Sequence, residues 1–235
     1  MAGSYIARLK IPNNLINKLL KVYMKKIIAL WMGVLLACVS LGVRADIPEP
    51  EALIRNTVAE VLAIVKRDKD IQSGNTKKVI ELVDAKVLPH FNFTHMTRLA
   101  VGKNWRNATP EQKKVLEIEF RNLLVRTYTT AFTTYQNQEV EVKPLKMAND
   151  ANEVTIKTSI INKGKPPLPV NYDMEKTAHG WKVYDLSIEG VSLVTNYRGT
   201  FAEKIQKSGI DGLIKMLVEK NQAQTGTMSP KATSK

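Results

Sequence analysis

Cysteine is nearly missing from this chain: there is one, Cys38, in 235 residues. That excludes a disulfide framework and a thiolate zinc site, and beyond residue 45 it excludes a Cys nucleophile. Histidine is scarce too, with three: His90, His95 and His179. The first two flank an expected helix break and the third falls in an expected hairpin turn, so no metal pair is predicted. The chain also lacks a Gly-rich phosphate loop, G-x-S-x-G, H-E-x-x-H and a calcium loop. The usual signatures of nucleotide, hydrolase and metalloenzyme chemistry are therefore missing.

Acidic residues are absent from the N-terminal stretch. Residues 1–45 hold seven of the 35 Lys and Arg and no Asp or Glu. From Met24 the chain reads "MKKIIALWMGVLLACVSLGVRA". Lys25-Lys26 make a charged n-region, Ile27 to Val43 an apolar stretch, and Val43-Arg44-Ala45 a cleavage site before Asp46. The apolar run of about 17 residues is at the lower limit for crossing a bilayer. Residues 1–45 are read as an upstream extension plus a secretory signal, with Met24 as the start and the periplasm as destination. Acylation of Cys38 is disfavoured, because Leu36 suits that chemistry poorly and the Val-Arg-Ala site lies downstream. Without this segment 28 basic residues face 22 acidic ones, a net +6 instead of +13. Nucleic-acid binding thereby loses its main support, and no nucleic acid is expected as a partner.

What remains reads as helices, then strands, then a helix. "PEPEALIRNTVAEVLAIVKRD" spaces Leu53, Val58, Val61, Leu62 and Val65 as a helix does, and "NTKKVIELVDAKVLPHF" repeats the pattern until Pro89 stops it. Residues 94–104 form a short third helix, and the Asn-x-Thr triplets at Asn92 and Asn107 read as helix caps. Thr109-Pro110-Glu111-Gln112 predicts a capped start for a helix running to about Tyr135. That helix carries Leu116, Phe120, Leu123, Leu124, Tyr128, Phe132 and Tyr135 in one stripe.

Alternation of apolar and polar residues predicts four to five mostly antiparallel strands, with Val170, Tyr172 and Met174 on one face. In "WKVYDLSI" both phases are apolar, which predicts a strand covered on both sides. A last helical region interrupted near Gly209 follows, and residues 223–235 read as a disordered polar tail. The class is α+β: helices wrapped around a curved sheet, a shape that tends to leave a cone-shaped cavity.

"IEGVSLVTNYR" (residues 188–198) raises the question of chemistry, since it carries Glu189, Ser192, Asn196, Tyr197 and Arg198. The strongest enzyme case is a buried carboxylate beside a Tyr, either Asp173 with Tyr172 or Asp185 with Tyr184. Alternation opposes both pairs, because neighbours on a strand face opposite ways. Asp185 can share the inward face of Trp181 and Val183, with a helix terminus or Arg198 as its structural partner. A helix-capped-cone enzyme acting on an apolar substrate and a periplasmic interaction or chaperone-like protein stand as the alternatives.

The stretch "WKVYDLSIEGVSLVTNYRGTFAEKIQKSGIDGLIKML" resembles the C-terminal signature of the MlaC family, the toluene-tolerance periplasmic proteins; "TPEQ" and "FRNLLVRTYTTAF" match as well. The similarity covers nearly all of residues 46–222. It implies a periplasmic carrier, not an enzyme, that holds a glycerophospholipid by its acyl chains. Such a carrier moves lipid between an outer-membrane lipoprotein–porin complex and an inner-membrane ABC-transporter complex, which maintains outer-membrane asymmetry. No cofactor, catalytic residue or metal is expected.

The expected lipid-facing residues are Tyr128, Phe132, Val170, Tyr172, Met174, Val183, Val191, Leu193, Val194 and Tyr197. Gly190 is expected to turn the chain and Ser192 to cap the last helix. Arg198 is read either as a headgroup-rim residue or as a structural ion-pair partner.

Overall fold

A computed structural model describes residues 47–129 and 138–227. The expectations for the secretory segment, for Phe132, for the long helix beyond residue 129 and for residues 228–235 of the tail fall outside these residues, whereas residues 223–227, expected in the disordered tail, continue the last helix. Helix α1 (Glu49–Arg67) has Pro50 in its first turn, Glu49 and Glu51 beside it, and Lys66 and Arg67 in its last turn. That is the charge order the helix dipole favours. Asp68 accepts from the Asp70 and Ile71 N–H groups to start α2 (Lys69–Gln72), and Asn75 caps α3 (Thr76–Lys86). Pro89 sits in a 3-10 turn, Leu88–His90, that ends the run.

Asn92 caps α4 (Phe93–Val101) through the His95 N–H. Asn107 does not cap a helix: it closes the 3-10 turn Gly102–Asn107, and α5 (Pro110–Tyr128) starts three residues later on the capping box of Thr109 and Gln112. The Pro at N1 fixes that later start, since its φ is preset for the helix and it needs no N–H partner.

The strands β1 (Glu139–Val142), β2 (Glu153–Ile161), β3 (Leu168–Thr177), β4 (Gly180–Ile188) and β5 (Val191–Ser192) form one sheet in sequence order. Every neighbouring pair is antiparallel. Between β4 and β5 the chain reverses on Glu189 (φ 52°) and Gly190 (φ 82°), the two positive-φ residues of a type I′ turn. Helix α6 (Leu193–Thr227) follows at once and breaks at Gly209, whose φ of 69° and ψ of −176° interrupt the helical backbone.

One irregularity decides which way β4 faces. Tyr172 pairs with Leu186 and Asp173 with Asp185, but Met174 pairs with Val183, so Tyr184 has no partner of its own. The extra residue is a bulge, and it shifts the alternation by one. Trp181 and Val183 therefore share a face with Leu186 and Ile188, and Asp185 lies on the other. The apolar appearance of both phases of β4 thus comes largely from a phase change within one apolar face. Asp185 does not share the face of Val183, contrary to the reading of strict alternation.

Three apolar clusters hold these elements together. Met96, Ala100, Leu116, Phe120, Val194, Phe201, Leu213 and Leu217 join α4, α5 and α6. Ile54, Val142, Ile156, Met174, Trp181 and Val183 join α1 to the sheet. Val61, Val65, Ile71, Val79, Leu82 and Val83 join α1 to α2 and α3. Helix α1 belongs to two clusters, which explains why its apolar stripe is wide.

Candidate functional site: an apolar pocket between helix α1 and the sheet

A pocket of about 430 Å³ lies between α1 and the sheet. Ile54, Val58, Val61, Leu62 and Val65 form its helical wall; Val140, Ile160, Leu168, Tyr172, Val183 and Leu186 form its sheet wall. Val87 and Phe91 close one side, where the Phe91 segment makes a parallel bridge to Val183. Polar side chains enter the lining at Thr57, His90, Gln138 and Asn162. No group of three or more His, Cys, Asp or Glu able to hold a metal occurs among the described residues. A pocket of this size and lining suits a flexible apolar ligand held by burial.

Of the residues named from sequence, Tyr172 and Val183 line this pocket. Met174 lies fully buried in the neighbouring cluster with Ile54 and Val183, and Val170 is 4 % exposed in the sheet; neither is among the lining residues. Tyr128, Val194 and Tyr197 pack in the cluster of α4, α5 and α6. There the Tyr197 ring stands 5.2 Å from Phe120 and 5.5 Å from Phe201. Leu193 is half-buried in the first turn of α6, and Val191 is 58 % exposed.

The tight Glu189-Gly190 turn is the cause. It carries the chain into a helix that packs on α4 and α5, so the residues after it leave the α1 side. The wall that sequence reasoning missed is α1 itself. Its signal was present: apolar side chains at positions 54, 58, 61, 62 and 65 cover more surface than one cluster needs.

Helix α1 is fastened to the sheet at its start. Glu51, 3 % exposed, accepts from Arg55 Nε at 2.7 Å and from the Leu145 N–H at 2.6 Å, and Arg55 donates to the Val142 carbonyl at 2.6 Å. Burial pushes the Glu51 carboxyl up, but the Leu145 N–H and Arg55 together outweigh it and leave it below its ordinary 4.5. A carboxyl lowered in the folded state stabilises it fully above the unfolded-state value, and that stability is lost as pH falls through the folded value. Glu51→Ala should therefore cost about 2 kcal/mol near pH 7, the order expected for a buried N–H left without an acceptor. Urea midpoints of variant and wild type should converge as pH falls from about 7 to about 3. An equal gap at both ends would show that the charge of Glu51 contributes nothing.

Asp185, 7 % exposed, is consumed by structure. It accepts from the Leu186 N–H at 2.7 Å, from the Val194 N–H at 3.2 Å and from the Ser192 hydroxyl. Ser192 in turn accepts from the Thr195 N–H at 3.0 Å, the cap expected of it. The helix terminus is thus the partner of Asp185. Arg198 is exposed and donates from Nε to the Leu99 carbonyl at 3.0 Å, which ties α6 to α4 and leaves Arg198 outside the pocket lining.

On the sheet face opposite Met174, Glu175 accepts from Asn92 at 2.8 Å and lies 2.8 Å from His95 Nδ1. The His95 ring stacks on Tyr184 with centroids 4.6 Å apart. This set joins α4 to the sheet on the side away from the pocket. Tyr184 is raised, by burial first and then by the surrounding carboxylates of Glu153, Asp173, Glu175 and Asp185. In the pocket wall, Tyr172 is raised by burial, against a hydrogen bond with Thr158. His90 is lowered, by burial and then by Lys182, with Glu60 opposing.

The profile of the MlaC protein family matches residues 55–219. A toluene tolerance protein, ttg2D, of Pseudomonas putida is 26 % identical over 163 residues, covering 69 % of this chain and 75 % of that protein. An intermembrane phospholipid transport system binding protein, MlaC, of Haemophilus influenzae is 24 % identical over 168 residues, covering 70 % and 78 %. Among solved structures, the phospholipid-binding protein from Ralstonia solanacearum, in complex with a phospholipid, superposes with a TM-score of 0.70. It is 39 % identical, covering 74 % of this chain and 98 % of that one. Among the described residues no helix is long and apolar enough to cross a membrane.

Proposed function

The chain belongs to the MlaC family, and from that premise we propose that it is a non-enzymatic carrier that binds a diacyl phospholipid by its acyl chains. The observation that carries the proposal is the apolar pocket between α1 and the sheet, in a fold shared with a phospholipid-complexed protein. Each methylene moved into water costs about 0.8 kcal/mol, so two chains with about 30 methylenes cost about 24 kcal/mol gross. A protein that lowers that cost needs apolar walls and little chemistry. Tyr172 and Val183 are proposed contacts from the sheet; Val58, Val61 and Leu62 are proposed contacts from α1.

The remaining proposals are positional. Residues 1–45 direct the chain to the periplasm, and the domain of residues 46–222 exchanges lipid with an outer-membrane lipoprotein–porin complex and an inner-membrane ABC-transporter complex. The experiment is lipid extraction. Protein expressed with its signal and purified without detergent should yield intact diacyl phospholipid at a fixed molar ratio by mass spectrometry. Lipid-free protein would overturn the carrier, and stoichiometric lysolipid would favour an enzyme.

A further inference from the structure

The polar side chains of the pocket are not spread evenly. Gln138 precedes β1, and Asn162 follows β2. The pairing of Glu139 with Ile161 sets these two residues side by side at one end of the sheet. From Asn162 the chain turns through Lys163, Gly164 (φ 78°) and Lys165, whose N–H donates back to the Asn162 carbonyl at 3.2 Å. Both lysines are exposed. Among the described residues neither takes part in an ion pair.

The other polar lining, Thr57 and His90, lies where the cations are already engaged. Lys86 pairs with Glu60 at 2.6 Å, and Lys182 donates to the Pro89 carbonyl at 2.6 Å. Glu139 alternates with the pocket-facing Val140, so its carboxylate belongs to the opposite face of the sheet.

Resting on the carrier reading, we infer that this end of the pocket is its mouth, and that Asn162, Lys163 and Lys165 form a rim for the phosphodiester of the bound lipid. Amide donors and ammonium groups on a short turn bind an anion without requiring a particular alcohol beyond it. The rim therefore recognises phosphate and leaves the rest of the headgroup in solvent. Arg198 has no part in it, because its guanidinium is held on α4.

The test uses the whole protein incubated with vesicles of equimolar phosphatidylglycerol and diacylglycerol with matched chains, then isolated and extracted. The wild type should retain the phosphate-bearing lipid by about tenfold over the neutral one, a 1.4 kcal/mol discrimination. Lys163→Gln/Lys165→Gln should retain less of the phosphate-bearing lipid, with a preference within about twofold, and Lys163→Arg/Lys165→Arg should keep the wild-type ratio. An unchanged preference in the Gln variant, with unaltered thermal unfolding, overturns the rim while leaving the carrier intact. Wild-type protein that takes up neither lipid overturns the carrier and the rim with it. A parallel NMR titration with inorganic phosphate separates the anion from the lipid. Equal perturbation of the 162–165 amides by phosphate and by lipid would assign the turn to a free anion and overturn the lipid rim.

Discussion

Val58→Trp and Leu186→Trp are each expected to strip the protein of co-purifying phospholipid while leaving it folded. Val58 lies in the helical wall of the pocket and Leu186 in its sheet wall, and both are only partly covered by protein, so a larger ring grows into the cavity. Over-packing a filled core costs about 1–3 kcal/mol, but here the added atoms replace ligand, and the folded protein should lose less. Bound phospholipid per protein should fall to about a tenth or below, the loss expected when 2 or more methylenes' worth of burial is blocked. Lipid extraction beside circular dichroism checks both halves. Wild-type lipid content in both variants would place the acyl chains elsewhere.

Asp185→Ala should be the most destabilising single change at a carboxylate. It removes the acceptor of two backbone N–H groups and of the Ser192 hydroxyl, where β4 meets α6. The Val194 N–H would be left buried without a partner. Charge-assisted bonds of this kind and the orphaned donor together argue for about 3 kcal/mol, or about 6–12 °C in Tm for a domain of this size. Asp185→Asn keeps one carbonyl acceptor and should lose roughly half as much. Thermal unfolding of the lipid-stripped protein decides the matter. A loss below about 1 kcal/mol for the Ala variant would mean that water replaces the carboxylate.

The sequence by itself determined the elements and their order. Helix starts at Pro50 and Thr109, the stop at Pro89, the break at Gly209 and the antiparallel meander all follow from local rules that act within a few residues. Capping geometry, proline's fixed φ and period-two alternation need no distant partner. The family resemblance carried by "EGVSLVTNYR" was likewise legible, because it depends on residue identity alone.

The location of the pocket was not legible, and two features decided it. The bulge at Tyr184 reversed the phase of β4, which brought Leu186 into the pocket wall and turned Asp185 away from it. The type I′ turn at Glu189-Gly190 then sent Val191, Leu193, Val194 and Tyr197 toward the far edge of the sheet and the helical cluster. Meanwhile α1, one amphipathic helix among several by its periodicity, became the opposite wall. Periodicity reports which face of an element is apolar. Which neighbour that face meets, and whether the two close on each other or leave space between them, depends on contacts between residues more than 80 positions apart, such as Arg55 with Val142 and Glu51 with Leu145.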